Sequence, residues 1–166
     1  MTFFVKLDVS AVKAPAVDHD IDLEGDLDEI AIPLCDLLAD AGAVFSAGGF
    51  GDERWPVDVR YDFAGLVPDL PAVVSGIKHQ SPVDLDFFEQ GIQRTVSAEL
   101  EGDLAKLSCR SFGKWVPTQP SDEMPRTAFE LMINDLVVGF LQATAIVVPE
   151  LASATALTCL RLLLDN

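Results

Sequence analysis

The chain has 166 residues, 49% of them hydrophobic, and carries 11 basic against 27 acidic side chains, a net charge of −16 with a pI near 4.2. That length and apolar content suit one domain with a filled core, spanning 1–166, and argue against a disordered chain in spite of the charge. The acidity argues against polyanionic partners, so neither nucleic acid nor an anionic membrane surface is expected.

From Thr2 to Val9, apolar Phe3, Val5, Leu7 and Val9 alternate with Phe4, Lys6, Asp8 and Ser10, the period of a half-buried strand. The apolar run at Phe3–Val5 is too short for a signal peptide, and three separated cysteines in apolar contexts (Cys35, Cys109, Cys159) read as buried thiols in a reducing compartment. A cytoplasmic location is the expectation. Between Asp18 and Glu29 stand seven acidic residues and no lysine or arginine: Asp18, Asp20, Asp22, Glu24, Asp26, Asp28 and Glu29. Ile21 and Leu23 alternate with three of these, which predicts a short strand with one acidic face. Pro33 is expected to head a helix ending near Gly42.

Val44 to Phe50 has strand character, and Gly48, Gly49 and Gly51 lead through a polar turn into Trp55, Val57, Val59 and Tyr61, spaced two apart. This predicts a hairpin with Phe50 near its tip, either exposed as an anchor for a partner or folded back into the core. Phe63 to Ile77 reads as a helix interrupted by Pro68 and Pro71. Val83–Phe88, Ile92–Leu100 and Leu104–Phe112 read as a meander, and Trp115 to Pro125 as an irregular connection. Thr127 to Val148 places Phe129, Ile133, Leu136, Val137, Phe140 and Thr144 at helical spacing, marking the main core helix, with Glu150–Leu164 as a second. The apolar stretch from Leu136 is too short for a membrane span. The fold class is α+β: a mostly antiparallel sheet of about five to six strands, helices packed on one side, and two C-terminal helices.

No catalytic motif emerges. Asp20, Asp22, Glu24 and Asp26 echo the start of a calcium loop, but its twelfth position falls on Ala31, where a bidentate carboxylate is needed. His19 and His79 lack the context of a triad or a metal cluster, and the glycines near Phe50 lack the following lysine of a phosphate loop. No metal and no cofactor is expected. Asp84 and Asp86, two apart on one strand face, are too ordinary in so acidic a chain to signal glycosidase chemistry. Arg94 is expected to make an inward ion pair with Glu89 or Glu99, in a structural role.

The Trp-x-Val-x-Val-x-Tyr-Asp-Phe segment (Trp55–Phe63), Asp-Phe-Phe-Glu-Gln-Gly-Ile-Gln-Arg (Asp86–Arg94), the strand with Cys109 and the Trp-x-Pro turn at Trp115–Pro117 together give an order of features that resembles small acidic bacterial immunity proteins of polymorphic or contact-dependent toxin systems. The resemblance implies a cytoplasmic, non-enzymatic antidote that binds one toxin and blocks its active site or substrate groove. A basic protein partner follows from the charge, with Asp18, Asp20, Asp22, Glu24, Asp26, Asp28, Glu29 and Phe50 as the expected partner-binding residues. The competing expectation is an assembly module that homodimerises through its apolar C-terminal helices, so the chain is either a monomer or a homodimer.

Overall fold

The computed structural model describes residues 2–15, 21–87 and 92–165. Its order is β1 (Phe4–Asp8), α1 (Leu27–Asp40), β2 (Val44–Gly48), a π-helical turn (Val59–Phe63), α2 (Ala64–Leu66), a 3-10 turn (Val67–Asp69), α3 (Leu70–Lys78), β3 (Val83–Phe87), β4 (Arg94–Glu101), β5 (Leu104–Ser111), β6 (Ser121–Pro125), α4 (Arg126–Val147), a second 3-10 turn (Pro149–Ser153) and α5 (Thr155–Asp165). The fold is α+β, as expected, with every strand pairing antiparallel. The strands form two sheets: β1–β2, and the meander β3–β4–β5–β6.

Alternation set the strands that bury one face. Val5 and Leu7 of β1 point inward, as do Val96, Ala98 and Leu100 of β4 and Ala105, Leu107 and Cys109 of β5. Gly102 takes a φ of +58° to close the β4–β5 turn. The two sheets meet across aromatic rings: Phe45 of β2 lies 5.2 Å from Phe63 and 6.4 Å from Phe87 of β3, and Phe63 lies 5.7 Å from Phe140 of α4. By length and composition α4 would suffice to cross a membrane. Here Phe129, Ile133, Val137 and Phe140 are fully buried and the helix packs on β1, α1 and α3, as a core helix does. Lys78 at the end of α3 donates its ammonium to the Leu163 carbonyl, tying α5 down.

Four expectations are corrected. The helix begins at Leu27, not Pro33, because Asp26 and Glu29 form a reciprocal cap: Asp26 Oδ1 accepts the Glu29 N–H at 3.0 Å and Glu29 Oε2 accepts the Asp26 N–H at 3.1 Å. Pro33 rides inside α1 on its exposed side, forgoing one backbone bond. The short strand expected at Ile21–Glu24 is a turn, with Asp22 Oδ1 accepting the Glu24 N–H at 2.9 Å. The segment from Trp55 does not pair with β2. It stays extended only to Asp58, whose carboxylate accepts the Tyr61 N–H at 2.8 Å and starts the π turn, while β1 takes the β2 edge. Finally, Ser121–Pro125 is a fourth strand of the meander, and Cys159 is exposed rather than buried.

Candidate functional site

Of the residues expected to meet a partner, Asp18 and Asp20 lie outside the described residues. Asp22, Glu24, Asp26, Asp28 and Glu29 are all exposed on and before the first turn of α1, held there by buried Ile21, Leu27 and Ile30. They divide by task. Asp22, Asp26 and Glu29 are engaged with backbone N–H groups, and Asp28 and Glu29 lie in the first turn, where the helix dipole favours negative charge.

Asp28 looks onto something the sequence reading missed. It lines a hollow of about 270 Å³ together with Ile32 of α1, Arg60 and Tyr61 of the π turn, Pro68, and Asp69 of the first 3-10 turn. Ile32 (58% exposed) and Tyr61 (53%) stand out at the rim as large apolar side chains open to solvent. The rim's arginine is already engaged: Arg60 contacts Asp36 at 3.1 Å and Asp40 at 2.5 Å, both from α1, and these hydrogen bonds, Asp40's first, hold its pKa above the ordinary value. The hollow is therefore left with net negative charge from Asp28 and Asp69.

Asp69 is shared with a second hollow of about 300 Å³, lined also by Asp84 and Asp86 of β3. Partial burial pushes the Asp69 pKa up, and repulsion from Asp86 and then Asp28 pushes it further. Folding has thus gathered carboxylates from α1, a 3-10 turn and β3 into one field, a convergence that sequence spacing does not express. Tyr61 left one legible trace: it is the only tyrosine, and it follows Asp58 at the three-residue spacing of a cap.

Phe50 is a correction. It is 1% exposed, so it cannot serve as a surface anchor. The Gly49–Asp52 reversal folds inward, with mutual backbone hydrogen bonds of 2.8 and 3.1 Å, and Phe50 takes a φ of +59° that turns its ring onto Phe3 (5.5 Å) and Trp55 (6.3 Å). Thr118 fills the space beside Gly51 where a side chain would stand. Arg94 also turns inward, as expected, but its carboxylate is Asp52, at 3.4 Å. Its guanidinium lies 3.5 Å from the Trp115 ring centroid and 4.6 Å from that of Trp55. Glu89 lies outside the described residues.

Nucleophilic chemistry finds little footing. Burial raises the Cys35 thiol pKa far above its ordinary value and that of Cys109 to about 11, against a smaller opposing effect of Arg94 on Cys109. His79 is exposed, with Nδ1 2.8 Å from the Ser75 carbonyl oxygen. Among the described residues no three of His, Cys, Asp and Glu converge to hold a metal ion. No protein-family model matches the chain, and no curated protein or solved structure matches it either.

Proposed function

We infer that the protein is a non-enzymatic inhibitor that works by binding a basic protein, in the manner of an immunity protein neutralising a bacterial toxin. The observation that carries this reading is the shared position of Asp69 between two hollows, with Asp28, Asp84 and Asp86 around it and Ile32 and Tyr61 at one rim. Carboxylates speed the approach of a positive surface, and an exposed aromatic and an aliphatic side chain beside them supply the apolar contact that holds it. A lysine or arginine of the partner entering beside Asp28 would relieve the repulsion that Asp69 now bears. The acidic row before α1 widens the same field.

The test is capture of the partner from native lysate at low salt, followed by co-expression with the captured protein and a growth assay. A basic, growth-arresting partner whose toxicity the wild type suppresses supports the reading. The combined variant Asp28→Asn, Asp69→Asn, Asp86→Asn should associate on the order of tenfold more slowly, and raising the salt should slow the wild type similarly. Tyr61→Ala should chiefly speed dissociation. Recovery of the protein alone, or an association rate indifferent to all three carboxylates, would sink it.

A second reading, a homodimer through the C-terminal helices, is favoured by the exposure of Val138 and Ile146 on α4 and Leu162 on α5. Sedimentation showing a dimer that persists in high salt would support it.

A further inference from the structure

The β1–β2 sheet leaves one edge of β1 without a strand beside it, and that edge faces α4 across a groove of about 430 Å³. The groove's walls are mostly apolar: Phe4, Val5 and Leu7 on one side, Leu131, Met132 and Leu136 on the other, with Leu131 60% exposed. Helix α4 closes one end, where a Cβ on Gly139 would sit 3.4 Å from the Leu7 carbonyl oxygen. Toward Leu131 the groove is open.

The outward backbone groups of β1 are provisioned unequally. Phe3 donates its N–H to the Asp122 carboxylate at 2.7 Å, a strong charge-assisted bond. Val5, two residues on and pointing the same way, donates to the Met132 thioether sulfur at 3.4 Å. A thioether is a weak acceptor on a flexible side chain, and it yields readily to a carbonyl oxygen. Charge narrows the occupant further. Lys6 lies 3.7 Å from Asp8, which offsets it, so Asp135 sets the sign of the groove in a chain of net charge −16.

We propose that this groove binds an extended, basic polypeptide segment, which adds to β1 as a third strand, replaces Met132 as the acceptor for the Val5 N–H, seats an apolar side chain against Leu131, and sets a lysine or arginine beside Asp135. Backbone pairing supplies the affinity and alternate side chains the selectivity, and the two-stranded sheet gains the neighbour it lacks. The groove shares no lining residue with the acidic hollows, so the proposal stands or falls independently of the inhibitor reading.

The probe is a short acetylated and amidated peptide of alternating valine and lysine, titrated into the isotopically labelled full chain. Expected are amide shifts centred on Val5, Leu7, Leu131, Met132 and Asp135, and exchange of the Val5 N–H slowed by about tenfold or more, as hydrogen-bond formation does. A valine–glutamate peptide and one N-methylated at alternate residues should bind at least tenfold more weakly. Ala128→Arg and Leu131→Arg, both at exposed positions, should abolish binding, and Met132→Leu should retain it. Absence of shifts in the groove at millimolar peptide overturns the proposal, as does equal binding of the N-methylated peptide. Shifts confined to Asp28, Tyr61 and Asp69 overturn it too, while leaving the inhibitor reading intact. Val5 protection in the free protein that fades on dilution would assign the edge to a second copy instead.

Discussion

Two arginines in this chain sit beside carboxylates and have opposite fates. Arg94 is 3% exposed, held over Trp115 and Trp55 and paired with Asp52, with its Nε lacking a hydrogen-bond partner. Burial lowers its pKa, and Asp52 only partly opposes this. Arg60 lies at a surface rim, its charge matched by two aspartates of α1, and leaves the hollow beside it acidic. A cation in the interior must be compensated locally, so Arg94 organises packing. A cation at the rim can be balanced by neighbours while others stay open, so Arg60 leaves Asp28 and Asp69 available to a partner. The aromatic cage is where the fold is most committed; the acidic hollows are where it has charge to spare.

Breaking the cage should produce the largest effects. Trp55 touches Phe3, Phe50, Phe87, Trp115 and Arg94, so Trp55→Ala should cost about 3–5 kcal/mol in chemical denaturation. Loss well under 1 kcal/mol would mean the rings do not support one another. Arg94→Ala should cost about 3 kcal/mol, since it strips both rings of their cation and leaves Asp52 without its partner, whereas Arg94→Met should recover part of that loss by refilling the space between the indoles. If the methionine variant is the weaker of the two, the ion pair outweighs the packing.

On the acidic side the effects are smaller and change character. Asp26→Ala removes the cap of α1 and should cost about 1 kcal/mol, read as a lowered denaturation midpoint, while Glu24→Ala, outside the cap, should leave it unmoved. Asp69→Asn should raise the melting temperature slightly at neutral pH. The sign follows from a folded-state pKa that lies above the ordinary value: ionisation is disfavoured in the folded chain, so the charge is destabilising above that pKa and harmless once the carboxyl is protonated in both states. The advantage of asparagine should therefore fade as pH falls through the folded-state pKa. An advantage independent of pH would deny the repulsion from Asp86 and Asp28.

What was readable in the sequence was readable through period and end-chemistry. The alternation from Phe3 to Val9, the β3–β5 meander and the stripe from Phe129 to Thr144 were legible because a half-buried element writes its own repeat. The alternation at Trp55–Tyr61 misled because extended backbone buries every second residue whether or not a strand pairs with it. Only Asp58 and Asp62 reveal the turn, through bonds to the backbone. The acidic row was legible as composition, but Asp26 and Glu29 serve the helix they start, and a cap beginning six residues before Pro33 is masked by the expectation that proline opens a helix. Phe50 went astray for a related reason: glycines around an aromatic say that the chain reverses there, and say nothing of which way the reversal folds.

The amino-acid order alone determined the α+β class, the core helix and the excess of negative charge, since each depends on residues near one another along the chain or on plain totals. Tertiary structure alone decided that Asp28, Asp69 and Asp86 share a field, that Arg94 pairs with Asp52 between two indoles, and that β1 rather than the Trp55 segment flanks β2. Those outcomes join positions tens of residues apart, and long-range pairing is chosen by which arrangement buries the most apolar surface while leaving no charge stranded, a competition that local pattern does not record.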